Sequence, residues 1–251
     1  MKVSIVTACF NSAATIEATL ASLSTQTWHD FEHVVVDGGS TDGTIERVQA
    51  WRGHPVRLLR GPDAGMYDAM NRGAAAATGD AIGFLNADDR YADSTALASI
   101  AGALADGEPD FVHGDLVFVD AADRRVLRYW KGTPFEPRRL RLGWLPAHPT
   151  LYVRRPVFEA VGAFSLDYGT AGDVDWMIRL LAGGARRSAY IPRVLVEMNA
   201  GGASNASLGS YVRASRQVWR SCARQGISPA PFFLGKTLRK LPQWWRRGVA
   251  P

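Results

Sequence analysis

A chain of 251 residues is long enough for one large domain, or one domain with a small appendage, around a sizeable core. Its 47% hydrophobic and 21% charged residues are ordinary for a globular protein, and no run of about 18 apolar residues is present to cross a membrane. The formal net charge of +5 is unevenly placed: residues 201–251 contain no Asp or Glu, while the acids concentrate in the first half.

Cys9 and Cys222 stand far apart and match no metal-ligand spacing, so a reduced, cytoplasmic setting is expected. The apolar run at the N-terminus is too short for a signal peptide. Lys2–Ala8 is β-branched and apolar and reads as a first strand. Asn11 and Ser12 are placed to cap a helix in which Ile16, Leu20 and Leu23 recur at helical spacing. Phe31–Val36 is a second strand, ending at Asp37-Gly38-Gly39-Ser40-Thr41-Asp42-Gly43, where glycines let the backbone turn sharply and approach a ligand. A helix over Thr44–Trp51, a strand over Val56–Leu59, a turn at Asp63-Ala64-Gly65 and a helix over Tyr67–Ala77 follow. Ala81–Leu85 is a short buried strand that stops abruptly at Asn86, Asp88 and Asp89. This alternation predicts parallel strands with right-handed crossovers, a nucleotide-binding type of α/β sheet. Strand regions at 107–119 and 126–131 predict a hairpin, hence a mixed sheet in the second half. Leu151–Val153 and Val194–Met198 read as later strands. A basic helix over Ser207–Gln225 is broken at Pro229-Ala230-Pro231. The chain is expected to divide into a domain over 1–200 and a basic, Trp-containing helical extension over 201–251.

In open α/β sheets, ligands bind just beyond the carboxyl ends of the strands. Asp88 and Asp89 stand at such an end, where adjacent carboxylates repel unless compensated. They either begin a turn and cap the next helix, or hold a hard divalent ion together with a diphosphate. Asp37, also at a strand end, either bonds its own turn or faces a ligand there. The turn after the first strand lacks GxGxxG and no GxxxxGK[ST] occurs, which argues against nicotinamide dehydrogenases and P-loop enzymes.

Ser4-Ile5-Val6-Thr7-Ala8-Cys9-Phe10-Asn11, then Val34-Val35-Val36-Asp37-Gly38-Gly39-Ser40-Thr41-Asp42-Gly43-Thr44, then Phe84-Leu85-Asn86-Ala87-Asp88-Asp89 resemble family 2 glycosyltransferases of the GT-A fold. The segment from Asp63 to Gly73 is similar to the bacterial branch that builds O-antigen and other surface polysaccharides. The resemblance runs from about Val3 to Leu181. It implies an inverting transferase that moves one sugar from a nucleotide sugar, a UDP-sugar foremost, with a divalent Mn or Mg ion. It also implies donor contacts at Thr7, Ala8, Asn11, Asp37, Asp63, Asn71, Asn86 and Asp88. Asn86-Ala87-Asp88 occupies the family's DxD position with Asn in place of the first acid, so the metal rests on Asp88, with Asp89 a secondary candidate. Ala69-Met70-Asn71 stands where many relatives carry Ala-Arg-Asn, and no phosphate contact from that arginine carries over. Thr170–Leu181 resembles the acceptor-site motif, which makes Asp173 the counterpart of the catalytic base; the preceding residue, often Glu, is Gly172 here.

An aspartate carboxylate can accept the proton of an attacking hydroxyl. The plainer reading of Asp173 is a helix N-cap, and of Asp175 a first-turn acid facing the helix dipole, though Asp175 also stands as a possible acceptor or diphosphate contact. His148, in a Pro-bounded loop, either touches diphosphate or acceptor or is a packing residue. In the acid-free segment Trp244 and Trp245 interleave with Lys236, Arg239, Lys240, Arg246 and Arg247. That pattern fits an anionic membrane surface, hence a peripheral place on the inner face of the cytoplasmic membrane and a saccharide or lipid-linked saccharide acceptor. The alternative is a helix packed on the domain. Gly201–Asn205 is expected to form a mobile loop near the site. Processive synthases carry a Gln-x-x-Arg-Trp signature that neither Gln217-Val218-Trp219-Arg220 nor Gln243-Trp244-Trp245-Arg246 matches, which favours single-sugar transfer. A nucleotidyltransferase would need a basic Gly-rich triphosphate loop, which is missing. A nucleic-acid-binding module would explain the basic tail but not the acid-ended strands, so no nucleic-acid partner is expected.

Overall fold

The computed structural model describes residues 1–105, 107–183, 186–200 and 208–239, with side chains omitted for 208–211. The strands are β1 (Val3–Cys9), β2 (Phe31–Asp37), β3 (Val56–Arg60), β4 (Ala81–Phe84), β5 (Arg90–Tyr91), β6 (Phe111–Val119), β7 (Val126–Trp130), β8 (Tyr152–Arg154) and β9 (Ser188–Asn199). The helices are α1 (Ile16–Ser24), α2 (Thr44–Ala50), α3 (Met66–Ala76), α4 (Ala96–Ala105), α5 (Pro137–Arg141), α6 (Arg155–Val161), α7 (Gly172–Ala182), α8 (Leu208–Arg224) and α9 (Pro229–Leu238). Among the described residues these strands make one mixed sheet in the order β3-β2-β1-β4-β8-β6-β9-β5, with β7 paired to β6.

Its first half is parallel, β3 to β2 to β1 to β4. The run Val34-Val35-Val36 is buried on both faces, as helices over a parallel sheet require. The register pairs Cys9 with Asp37, so the first two strands stop level and their loops open side by side. Polarity then reverses: β8 runs antiparallel to β4 and β6 antiparallel to β8. The expected hairpin is present, β7 lying antiparallel on β6. β9 starts six residues earlier than the sequence pattern shows and runs parallel to β6 along nearly its whole length. Its first residues are only partly buried, which hides them from an apolar pattern.

One core joins the halves. Val6, Val36 and Met70 from the first share a cluster with Phe111, Phe158, Phe164 and Trp176 from the second. The same cluster takes in Val218 and Cys222 of α8, Ile227, and Phe232 of α9. The segment 208–239, expected as an extension, therefore shares the core of 1–200. Pro229, read as a helix breaker, starts α9, where its fixed φ and missing N–H cost nothing. No helix among the described residues is long and apolar enough to cross a membrane. Lys240, Trp244, Trp245, Arg246, Arg247 and the expected loop at 201–205 lie outside the described residues.

Candidate active site

Three loops and a helix start meet around the carboxyl ends of the parallel strands. Asn11 does not cap α1, which begins at Ile16 behind Thr15 with no side-chain cap. It adopts a left-handed backbone, φ 50°, and its Oδ1 accepts from Thr41 N–H at 3.0 Å, while its own N–H donates to Ser40 Oγ at 2.8 Å. The β1 and β2 loops are thus clasped together. Asp37 is buried, and its Oδ1 accepts from the N–H groups of Gly39 and Ser40 at 2.9 and 2.8 Å. Burial alone would raise this carboxyl; the hydrogen bonds from Ser40, Gly39 and Cys9 outweigh it and hold it below the ordinary range. A cleft of about 610 Å³ opens here, lined by residues 37–40, Ile45 and 60–62. Asp63 closes on the same loop: a Cβ added at Gly38 would stand 2.5 Å from its Oδ2, so only glycine permits this approach.

Beyond β4 the chain turns through Asn86–Asp89. Asp89 is buried, its Oδ2 accepting from Asn86 Nδ2 at 2.8 Å and its Oδ1 without a hydrogen-bond partner among the described residues. Burial, then the neighbouring Asp88 charge, pushes its carboxyl up to about 8, and burial also raises Asp88. Two crowded carboxyls with an unsatisfied oxygen fit a cation partner. Among the described residues no group of three or more His, Cys, Asp or Glu side chains converges. Asn199, at the end of β9, donates to the Asp88 carbonyl at 2.7 Å and accepts from Arg124 at 2.7 Å, while Arg124 also pairs with Glu197. The β6–β7 turn thereby props the acidic loop.

Asp173 opens α7, where its Oδ1 accepts from Tyr67 Oη at 3.0 Å and from Val174 N–H at 2.8 Å. Tyr67 sits in the first turn of α3 and stacks on Phe164, centroids 5.6 Å apart. Gly172 is required by this contact, since a Cβ there would come within 2.7 Å of the Tyr67 ring. His148 stacks on Phe84, the last residue of β4, at 5.5 Å and lies edge-on to Phe164. Burial holds its ring below the usual pKa, opposed by the charge of Asp173. An aromatic floor of Tyr67, Phe84, His148 and Phe164 thus connects the strand end before Asp88 with the helix start at Asp173.

A sequence profile described as glycosyl transferase family 2 matches residues 4–159. A PGL/p-HBAD biosynthesis glycosyltransferase of Mycobacterium bovis is 36% identical over 207 residues, 80% of this chain and 78% of that protein. The chain belongs to glycosyl transferase family 2. It is a glycosyltransferase. The O-antigen biosynthesis protein RfbC of Myxococcus xanthus is 32% identical over 235 residues, 88% of this chain but 18% of that protein. Among solved structures, S. aureus TarS in complex with UDP-GlcNAc superposes with TM-score 0.72 at 18% identity, over 93% of this chain and 72% of that one. The mannosyltransferase PcManGT of Pyrobaculum calidifontis, in complex with GDP-Man and Mn2+, gives 0.66 at 23% identity, over 94% and 68%. The fold is the GT-A type expected from the sequence.

Within this glycosyltransferase, Asn11, Asp37 and Asp63 line or brace the cleft. Asn86, Asp88 and Asp89 stand together at the β4 end, with His148 in the aromatic floor and Asp173 at its far side. Three of the expected contact residues have their side chains engaged elsewhere by hydrogen bonds. Thr7 is fully buried and its hydroxyl is bonded to His33 Nε2 at 2.9 Å, so its side chain points into the sheet layer, not the donor loops. The Asn71 side chain gives Nδ2 to Phe164 C=O at 2.9 Å and takes Phe164 N–H at 2.8 Å, which clamps α3 to the second half. Asp175 is buried, with Arg179 at 2.9 Å and Ser221 Oγ at 2.6 Å on its two oxygens, and so ties α7 to α8 instead of facing a ligand. Ala8 is half-buried beside the core. Tyr67, Asn199 and Arg124 were missed in sequence, because each reaches the site across more than 70 residues.

Proposed function

We propose that this glycosyltransferase moves one sugar from a nucleoside-diphosphate sugar, a UDP-sugar foremost, to a saccharide hydroxyl with inversion at the anomeric carbon. The supporting observation is Asp173: a carboxylate at a helix start, held by Tyr67, across an aromatic floor from the acidic β4 end. The nucleotide would lie in the cleft over residues 37–40, between the clasped loops. Asp88, with Asp89 behind it, would hold a divalent Mn or Mg ion. When bound, such an ion supplies Lewis-acid neutralisation of the departing diphosphate.

Asp173 takes the proton of the acceptor hydroxyl as its oxygen bonds to the anomeric carbon. The bond from that carbon to the diphosphate breaks on the opposite face, and the nucleoside diphosphate leaves with its electron pair. One displacement gives inverted configuration. Tyr67 keeps the Asp173 carboxylate turned toward the floor, and His148, its ring held below the usual pKa by burial, feels the Asp173 charge. The relative named for O-antigen biosynthesis and the acid-free C-terminal segment support a lipid-linked saccharide acceptor at an anionic, inner-face membrane surface. A panel of nucleotide sugars, scored for binding and slow hydrolysis with and without Mn²⁺ or Mg²⁺, tests this reading. One donor should stand out and need the ion. Hydrolysis unaffected by a chelator would remove the metal, and no binding by any donor would remove the function.

A further inference from the structure

Helix α8 lies against the domain through Val218, Ser221 and Cys222, and α9 through Phe232. Their other faces are uncovered among the described residues. Val212 is 42% exposed, Trp219 50%, Leu234 64% and Leu238 53%. Val212, Arg216 and Trp219 stand at i, i+4 and i+7 and so share one side of α8. The Trp219 ring stacks on Phe233 of α9, centroids 6.0 Å apart and planes at 27°. Between the helices runs an open groove of about 510 Å³, lined by Val212, Ser215, Arg216, Trp219, Arg220 and Phe233. Its floor is apolar and its rim carries two guanidinium groups. Among the described residues no ion pair ties Arg216 or Arg220 to the domain, and residues 201–251 contain no carboxylate side chain to do so.

An exposed apolar patch of this kind marks an interaction surface. We propose that the α8–α9 groove is the surface by which the enzyme docks on an anionic phospholipid bilayer, Trp219 and Phe233 entering at headgroup level and Arg216 and Arg220 pairing with lipid phosphates. The proposal rests on the reading that the enzyme works at an anionic membrane, and names the contact. The occupant follows from complementarity. Tryptophan with arginine, alternating along one amphipathic helix face and free of acids, matches the apolar-below, anionic-above profile of a bilayer interface. The placement also suits the reaction. α8 is bonded to α7 through Ser221 and Asp175, and α7 begins beside Asp173, so one helix layer, about 8–10 Å, separates the docked face from the helix that carries the candidate base.

The test measures partitioning of the full chain onto vesicles of phosphatidylcholine alone and of phosphatidylcholine with phosphatidylglycerol. The wild type should bind the anionic vesicles, and less so as salt rises. Arg216→Ala with Arg220→Ala should weaken that binding about 25-fold, fivefold per arginine, the equivalent of ~1 kcal/mol each near an anionic surface. Trp219→Ala should weaken it several-fold with charge unchanged, and brominated lipid should quench less fluorescence in Trp219→Phe than in the wild type. Arg52→Glu, a charge reversal at the opposite side of the sheet, controls for net charge, and melting curves report folding. If the wild type binds anionic vesicles and the groove variants bind equally, the membrane reading stands and the groove is wrong. If the wild type binds neither vesicle, both fall. A concentration-dependent dimer abolished by Trp219→Ala, without vesicle binding, would make the groove a self-interface and overturn the proposal.

Discussion

Asp173 carries one bond from a tyrosine that arrives from the other half of the chain, and this makes the residue testable in two ways. Asp173→Asn nearly preserves shape, so donor affinity should persist while transfer falls by roughly 10²–10⁴; loss of donor binding alongside would make Asp173 a donor or structural residue. Tyr67→Phe keeps the stack on Phe164 and removes only the hydroxyl. Transfer should slow about tenfold, ~1.4 kcal/mol in the barrier, with donor binding unchanged. Asp88→Ala should abolish ion-dependent turnover while the fold survives. A variant fully active in chelator would sink the metal assignment.

At the scale of elements, side chains that the sequence presents as site candidates act as staples, Asn71 between the two halves and Asp175 between α7 and α8. The Asn71 amide holds Phe164, and Asp175 holds both Arg179 and Ser221. Asp175→Asn should therefore destabilise the protein by ~1–3 kcal/mol, since a buried partner is left unpaired, while donor affinity is kept. Urea unfolding beside nucleotide titration checks this, and a loss of transfer as large as that of Asp173→Asn would exchange their roles. Gly172→Ala would drive a methyl into the Tyr67 ring, costing ~1–3 kcal/mol by overpacking and displacing the hydroxyl from Asp173.

For the molecule as a whole, three histidines, His33 and His113 buried and His54 half-buried, contribute to the response to acid. His33, bonded to Thr7 and to His54 at 3.1 Å, is held at about 3 by burial and by His54; burial holds His113 at about 4 and lowers His54. An unfolded histidine binds its proton near 6.5, so below that pH the unfolded chain takes up protons that the folded one refuses. Stability is thus present above about pH 6.5 and is lost as pH falls toward 3. Melting temperatures between pH 7 and 4 should decline, and His33→Gln should flatten the decline. A flat wild-type profile would mean that these rings charge without cost in the folded state.

Much of this was written in local chemistry. The apolar runs of the parallel strands, the glycines after Asp37, the helix expected over 67–77 and the acid-ended strand expected over 81–85 are short-range patterns that report burial and turning, and the order of motifs carried the family. The chain by itself thus determined the parallel α/β half, the hairpin of the second half and the candidacy of Asp37, Asp88 and Asp173. It did not determine which polar groups face the cleft. A side chain's direction depends on partners distant in sequence: His33 draws in Thr7, Phe164 occupies Asn71, and Arg179 with Ser221 occupies Asp175. Tertiary structure alone decided that Tyr67 holds Asp173 and that Asn199 and Arg124 prop the acidic loop. It also decided that the basic C-terminal helices share the domain core, because Val218, Cys222 and Phe232 are too sparsely spaced among arginines to announce a buried face.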